Sequence, residues 1–229
     1  MQIQNRTARL LAVTLGIAFC ALYTLTAAPS IVELYDDTLE FQLVGPTFGI
    51  AHPTGYPLYT LLGGLWSRVL FPFGNWAWRM NLFSALAAGA TVGVLCWLTQ
   101  RIAIEFHAKA QSAQSDAPEI VSSDLEPPQN GTDSQRGRLT ARLQTQEDTV
   151  APPRRLVNVM PGVVAAVSFG LGPVWWSQAT VAEVYALHNL LVFIAIALAF
   201  VISTGSTPKI TTATLLFLTL GLGLAHHRT

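Results

Sequence analysis

The chain has 229 residues, of which 51% are hydrophobic and only 11% are charged, and its formal net charge is zero. Soluble domains carry about 25% charged residues, so this composition, with a mean hydropathy of +0.43, indicates an integral membrane protein. The zero net charge provides no basic surface, and no nucleic-acid partner is expected. Cys20 and Cys96 both lie in apolar segments and are interpreted as packing residues that do not form a disulfide.

The first apolar segment, residues 10–32, contains no charged residue and follows Arg6 and Arg9. It is longer than the apolar core of a signal peptide, which has about 7–15 residues, and about 20 residues suffice to span a bilayer. We therefore predict a retained transmembrane helix. The positive-inside rule then places the N-terminus in the cytoplasm and the following segment on the outer face.

Three acids and a run interrupted by glycine and proline follow this segment. The acids are Asp36, Asp37 and Glu40. The run, residues 41–67, carries no charge, but a lipid-exposed helix would leave backbone groups unpaired at its repeated breaks. We therefore predict that this part stays at the outer surface, as a short helix end over 40–44, a loop over 46–55 and an interfacial helix over 57–70.

Four further apolar segments are predicted as transmembrane spans. They cover residues 80–100, 157–172, 184–204 and 210–225. The polar stretch between the first two has few aromatic residues, which is typical of disorder. The predicted organisation therefore has three parts: residues 1–104 with two spans and the outer loop, residues 105–156 as a cytoplasmic disordered loop, and residues 157–229 with three spans. The chain stops without a closing element, so we expect a truncated protein.

The basic residues beside the spans support this topology. If the glycine- and proline-rich run stays outside, five of them lie inside, as the positive-inside rule requires: Arg101, Lys109, Arg154, Arg155 and Lys209. The same arrangement gathers three groups on the outer face that played no part in assigning the spans. These are the acids, the turn over 175–185, and the pair His226 and His227.

The acids suit the chemistry of glycosyl transfer. Transfer to a hydroxyl needs a base that takes the acceptor's proton while the anomeric carbon is attacked. Asp37 and Glu40 are three residues apart, so they share a face if the segment is helical. The alternative interpretation is that they are solvated acids at a helix end, and the spacing does not decide between the two.

Three other polar features have a functional and a structural interpretation. His52, in a His-Pro-Thr-Gly-Tyr-Pro turn, either meets a phosphate or binds the backbone. Glu183, at the start of the span 184–204, is either functional or an interfacial acid. His226, His227 and Arg228 form a cluster suited to phosphate. The sequence has no P-loop, dinucleotide fingerprint or zinc pattern, so a lipid-linked sugar donor fits better than a nucleotide sugar.

Four sequence motifs, in this order, resemble a known membrane family. They are LEF-x7-GIAHPTGYPLYTLLG at 39–63, WRMNLFSALAAGATVGVLCWL at 78–98, WWSQATVAEVYALHNL at 175–190 and LGLAHHRT at 222–229. The family was first catalogued as domain of unknown function 2723 and includes the eukaryotic transmembrane O-mannosyltransferase of the secretory pathway. It is similar to the wider GT-C class of glycosyltransferases that use polyprenyl-phosphate sugars. The predicted fold is therefore an all-α polytopic membrane protein of GT-C type, with about five transmembrane helices and interfacial helices in the first outer loop.

The resemblance also implies roles for individual residues. Asp37 and Glu40 fall on the family's Asp-Ser-Gly-Glu-Phe pattern, with Asp37 as the catalytic base and Glu40 orienting it or the acceptor. Leu39 departs from the usual glycine of that pattern. The residues predicted to bind substrate are Asp36, His52, Tyr56, Glu183, Tyr185, His226, His227 and Arg228. The acids suit a divalent cation, but no ligand spacing demands one, so no metal site and no certain cofactor are predicted.

These observations predict an inverting glycosyltransferase in a bacterial plasma membrane, in contact with membrane lipids, with its site on the extracytoplasmic face. It would transfer a hexose, with mannose as the first candidate, from a polyprenyl-phosphate donor to a protein or lipid hydroxyl. Two alternatives stay open. The first is a transporter of a lipid-linked sugar, which would use the same acids without chemistry, and the second is a non-catalytic membrane subunit.

Overall fold

The computed structural model describes residues 2–53, 55–115, 154–205 and 209–226, and within these ranges every regular element is a helix. In chain order the helices are α1 (Gln2–Thr26), α2 (Thr38–Thr47), α3 (Pro57–Val69), α4 (Trp76–Ser115), α5 (Arg154–Gly170), α6 (Pro173–Ala179), α7 (Val184–Thr204) and α8 (Ile210–His226). The predicted helix end over 40–44 and interfacial helix over 57–70 correspond to α2 and α3, but α2 continues through Pro46, where the loop was predicted to begin.

Three helices in the described part of the chain are long and apolar enough to cross a membrane. They contain the segments Arg6–Thr26, Trp76–Ala113 and Val184–Thr204. A fourth candidate is the pair Val159–Gly170 and Pro173–Ala179, which is bent by 68°. The all-α polytopic fold is thus confirmed. The predicted fifth span, α8, has 17 residues, fewer than the roughly 20 that cross a hydrocarbon core, so the described residues provide three or four candidate spans.

Two helix ends differ from the predicted boundaries. Helix α1 ends at Thr26, not at residue 32, because Pro29 lacks an N–H and restricts the residue before it. Helix α4 continues to Ser115, past the start of the predicted loop at residue 105. Its last part is rich in alanine and glutamine and contains no glycine or proline, so helix propensity carries it on. At the other end of the predicted loop, residues 154–156 begin α5, and residues 116–153 lie outside the described residues.

Helices α1 and α4 pack closely at the centre of the bundle. A Cβ atom added at Gly89 of α4 would lie 2.5 Å from the backbone nitrogen of Cys20 on α1, and one added at Gly16 would lie 3.3 Å from Cα of Gly93. Small residues permit such close approach in membrane helices. Tyr23 extends this contact to α5, because its hydroxyl donates to the carbonyl of Gly170 at 2.6 Å.

Arg79 anchors the connection between α3 and α4. Arg79 is 4% exposed, and its side chain donates to backbone carbonyl oxygens of Ser67 at the end of α3 and of Phe71, Phe73 and Gly74 in the connecting segment. Buried charge needs this kind of complete hydrogen bonding. The arginine that the sequence shows only as the boundary of a span therefore fixes the loop that leads into α4.

Candidate active site

The start of α2 carries the acids that the sequence singles out. Asp37 occupies the N-cap position and Glu40 lies in the first turn, where negative charge is favoured by the helix dipole. The side chain of Asp37 makes no capping hydrogen bond and is 41% exposed. Its carboxylate is therefore not used to hold the helix end.

Glu40 is engaged by His52 through both carboxylate oxygens. Its Oε1 accepts from the backbone N–H of His52 at 2.7 Å, and its Oε2 accepts from ring nitrogen Nδ1 at 2.5 Å. Because a carboxylate only accepts, Nδ1 carries the proton, and Nε2 faces Oδ2 of Asp37 at 3.7 Å. The hydrogen bond to Glu40 raises the pKa of His52, burial opposes this in part, and the charge of Asp37 adds to it.

A tight turn brings His52 back onto α2. Gly55, with a φ of +87°, and Tyr56, with a φ of +42°, both have left-handed backbones, and the N–H of Gly55 donates to the carbonyl of His52 at 2.6 Å. Positive φ is uncommon for a bulky residue. The ring of Tyr56 packs against Phe41 of α2, with centroids 5.3 Å apart, and against His52, at 5.4 Å. The aromatic packing thus holds the turn and its histidine against the helix that carries the acids.

Glu183 is distant in sequence from the acids but contacts the same helix, α2. It is the N-cap residue of α7, it is 1% exposed, and its Oε1 accepts from the hydroxyl of Thr38 at 2.7 Å. Its backbone N–H donates to Oγ of Ser84, whose hydroxyl also lies 3.1 Å from the carbonyl of Glu183. Burial raises the pKa of Glu183 to about 7, the hydrogen bond from Thr38 opposes the shift, and the charge of Asp37 adds to it.

A cavity of about 520 Å³ lies between these elements. Its acidic walls are Asp36, Asp37 and Glu183. The aromatic and amide residues that line it are Tyr35, Trp175, Tyr185, Gln178 and Asn189. The hydroxyl of Tyr35 lies 2.5 Å from that of Ser177 on α6, which joins the segment before α2 to the far wall. No lysine or arginine is among the described residues that line the cavity. Acidic, amide and aromatic groups together suit a neutral, hydroxyl-rich ligand.

The structure separates the predicted site residues into groups. Asp36, Asp37, Glu183 and Tyr185 line the cavity, and Glu40 and His52 form the pair beside Asp37. His226 is fully buried; its Nε2 donates to the carbonyl of Val184 at 3.0 Å, and its ring lies 6.3 Å from that of Tyr56. His227 and Arg228 lie outside the described residues. The acids of two distant segments therefore share one cavity, and the roles assigned to them stay proposals.

Asp37, Glu40 and His52 place their potential ligand atoms within 4.8 Å of one another, which raises the question of a divalent cation. Both oxygens of Glu40 already accept hydrogen bonds from His52, and Nδ1 of His52 serves as a donor. A cation would have to displace these bonds to find its ligands. The residues therefore fit a hydrogen-bonded carboxylate and imidazole better than a metal centre.

Asn81 is a buried side chain with several hydrogen bonds, and sequence reasoning missed it. Its Oδ1 accepts from Nε2 of Gln42 at 3.0 Å and from the N–H of Ala182 at 2.9 Å, and its Nδ2 donates to the carbonyl of Ala28 at 2.9 Å. It is fully buried and joins α4 to the ends of α1 and α7 and to α2. The signal was present in the sequence, because an amide at the start of an apolar span is costly without partners.

We expect Asn81→Leu to destabilise the site, because it leaves several buried donors and acceptors unpaired, at about 1–3 kcal/mol each. The free energy of unfolding should fall by about 3 kcal/mol, measured by thermal or denaturant unfolding in detergent. The control is Thr214→Val, since Thr214 is exposed and bonds only within its own helix. Equal stability of the two variants would show that the Asn81 network does not hold the fold.

Comparisons with known proteins identify a family and relatives of the chain. Residues 37–229 match the family described as Protein O-mannosyl-transferase TMEM260 N-terminal domain. The chain is 38% identical over 82 residues to a Mus musculus protein named Protein O-mannosyl-transferase TMEM260, which covers 36% of this chain and 11% of that protein. It is 32% identical over 97 residues to a Dictyostelium discoideum protein named Protein O-mannosyl-transferase tmem260, covering 42% of this chain and 11% of that protein. No solved structure matches.

The matched segments thus span about a tenth of the length of these curated relatives. The predicted relationship to the transmembrane O-mannosyltransferase is confirmed by the family match. The broader label, domain of unknown function 2723, stays a prediction.

Proposed function

Because the chain belongs to the family of protein O-mannosyl-transferase TMEM260 N-terminal domains, we propose that it provides the reaction site of an inverting membrane glycosyltransferase of the GT-C class. The proposed reaction moves a hexose, with mannose first, from a polyprenyl-phosphate donor to a protein or lipid hydroxyl. The observation that carries this proposal is the cavity in which Asp37 and Glu183 meet. Both residues fall within the matched segment.

In the proposed reaction Asp37 is the general base. The acceptor oxygen bonds to the anomeric carbon while the bond from that carbon to the phosphate oxygen breaks, and its electron pair leaves with the phosphate. The acceptor's proton passes to the carboxylate of Asp37 and then to water. Asp37 suits this role because it lines the cavity, is partly exposed, and makes no capping hydrogen bond.

Glu40 and His52 support the base without lining the cavity. Glu40 fixes the ring of His52 through two hydrogen bonds, and the ring presents Nε2 to Asp37 at 3.7 Å. A protonated imidazole at this distance attracts the carboxylate and restricts its orientation. Glu40 therefore acts as a positioning residue for His52, and His52 as a positioning residue for Asp37.

The cavity walls suit a hexose in the proposed reaction. Aromatic side chains such as Trp175 and Tyr185 offer apolar faces to the sugar ring, and the amides of Gln178 and Asn189 and the carboxylate of Asp36 offer hydrogen-bonding groups to its hydroxyls. His226, with His227 and Arg228 next to it in the sequence, stays the proposed location of the donor phosphate.

We place this site on the extracytoplasmic face of the membrane. Arg6 and Arg9 lie at the start of α1, and the positive-inside rule keeps that end in the cytoplasm. The acids follow the other end of α1, after Thr26, so the cavity lies across the membrane from the N-terminus. Helices α2 and α3 carry exposed apolar residues such as Leu43, Leu61 and Leu65, as expected for helices in contact with lipid headgroups and chains.

The proposal is tested by transfer from radiolabelled polyprenyl-phosphate mannose. Membranes that contain the chain, and membranes that contain the longest form encoded by its gene, are supplied with peptide and lipid acceptors, and membranes without either form are the blank. Labelled product above the blank in either preparation is the expected result. Movement of intact labelled donor across the bilayer without product would replace the proposal with the transporter. Neither product nor movement would contradict both.

A further inference from the structure

Glu183 is a second carboxyl group in the cavity, and its surroundings differ from those of Asp37. The side chain of Asp37 is 41% exposed, whereas Glu183 is 1% exposed. Oε1 of Glu183 accepts from Thr38, and Oε2 has no hydrogen-bond partner among the described residues. The backbone on both sides of the Cα atom is held by Ser84. The carboxyl group is therefore fixed in place, with one oxygen available to a ligand in the cavity that it lines.

We propose that Glu183 is a sugar-binding residue that donates a hydrogen bond from its protonated carboxyl group to a hydroxyl oxygen of the bound sugar. This inference rests on the proposed function and deepens it, because it names the group that the cavity offers to the donor. An ionised carboxylate can only accept, whereas a protonated one can also donate. Thr38 already supplies the donor to Oε1, so the proton belongs on Oε2.

The charges around Glu183 favour its neutral form. Asp37 before α2 and Tyr59 on α3 interact electrostatically with Glu183. Tyr185 on α7 lines the same cavity, and His226 on α8 bonds to the neighbouring Val184 and stacks on His188 of α7. His226 directs Nε2 to the carbonyl of Val184 and not to Glu183. Asp36 and Tyr35 are the remaining titratable groups of the cavity wall. None of these described neighbours is a lysine or an arginine, and an unpaired charge on a buried carboxyl group is unfavourable, so these neighbours favour the neutral form.

The expected pH dependence follows in sign from this environment. Burial raises the pKa of Glu183 to about 7, so the donor is present below that pH and is lost as the pH rises through it. Ionisation also adds a second negative charge beside Asp37. Sugar binding should therefore weaken from pH 6 to pH 8 by about tenfold, the ratio of the protonated fractions at those two values.

Three variants separate this role from a structural one. Glu183→Gln keeps an oxygen for Thr38 and places an amide N–H where the carboxyl proton was, at every pH. Glu183→Met keeps the size and removes the donor. Glu33→Gln is the matched control, because Glu33 is exposed and is not among the residues that line the cavity.

The experiment measures equilibrium binding of radiolabelled polyprenyl-phosphate mannose to the protein in lipid nanodiscs at pH 6, 7 and 8. The native protein and Glu33→Gln should lose about tenfold in affinity between pH 6 and pH 8. Glu183→Gln should bind within about threefold of the native protein at pH 6 and hold that affinity to pH 8. Glu183→Met should bind at least about tenfold more weakly at pH 6. A pH dependence that persists in Glu183→Gln would assign the titration to another group, such as His52, and overturn the proposal.

A spectroscopic measurement tests the protonation state without any substrate. The infrared C=O band of a protonated carboxyl group should be present in the native protein at pH 6, disappear as the pH rises through about 7, and be absent from Glu183→Gln. Absence of that band from the native protein at pH 6 would overturn the proposal. If the band titrates as expected and sugar binding is pH-dependent, but no transfer occurs, then the glycosyltransferase assignment fails and the assignment of Glu183 as a sugar-binding donor stands.

Discussion

Asp37→Asn should lower sugar transfer by about 10²- to 10⁴-fold, the usual contribution of a general base, while the protein stays folded in the membrane. Asparagine has nearly the size of aspartate but takes no proton at neutral pH. Since the side chain of Asp37 makes no capping hydrogen bond, the substitution removes the base without removing a support of α2. The measurement is the initial rate of transfer from radiolabelled polyprenyl-phosphate mannose at saturating donor.

The control for this prediction is Glu33→Gln, the same loss of a carboxylate at an exposed position four residues earlier. It should retain the native rate. Binding of the donor to Asp37→Asn should stay within a few-fold of native, because the base acts in the transition state and contributes little to the bound ground state. Transfer at the native rate by Asp37→Asn would remove Asp37 from the role of base.

Glu40→Gln should act through His52 and so give a smaller effect. The amide can no longer accept two charge-assisted hydrogen bonds, each stronger than a neutral one, so His52 loses both its orientation and the cause of its raised pKa. The transfer rate should fall by about tenfold, and binding should change little. A loss as large as that of Asp37→Asn would instead identify Glu40 as the base.

The bounds of α7 could be predicted from the sequence because they coincide with changes between polar and apolar residues. Glu183 ends a run of uncharged residues, and α7 covers Val184–Thr204, the same residues that were predicted. The extent of α4 could not be read in this way, because polarity was taken as the sign of a loop while helix propensity continued to Ser115. Composition thus predicts the start of an apolar helix better than the end of a helix that continues into polar sequence.

The contacts that build the site depend on distant parts of the chain. The spacing of Asp37 and Glu40 predicts a shared helix face, but Asp37 stands before the helix and the two acids meet through His52. The bond from Thr38 to Glu183 joins residues 145 positions apart, and that from Ala182 to Asn81 joins residues 101 apart. No local pattern contains such pairs. They follow from how α4 packs between α1 and α7.

That packing predicts a large loss of stability for Gly89→Ala. The added methyl group would lie 2.4 Å from Sγ, 2.5 Å from the nitrogen and 2.7 Å from Cα of Cys20. Two of these atoms are backbone, so a change of rotamer cannot relieve the clash, and α1 must move away from α4. Overpacking of this kind costs about 1–3 kcal/mol and occasionally more. We expect a loss of about 3 kcal/mol because the facing contact of Gly16 with Gly93 is disturbed as well.

The same substitution at Gly221 is the matched control, and we expect it not to lower stability. Gly221 lies within α8, and a Cβ atom added there meets no atom within 4 Å. Alanine in a helix is favoured over glycine by about 0.5–1 kcal/mol, so Gly221→Ala should be neutral or slightly stabilising in thermal unfolding of the detergent-solubilised chain.

Because α1 leads into the segment that carries Asp37, and α4 carries the Ser84 and Asn81 that hold Glu183 and Ala182, Gly89→Ala should also reduce transfer. Equal unfolding midpoints for Gly89→Ala and Gly221→Ala would mean that the close contact of α1 with α4 does not stabilise the fold.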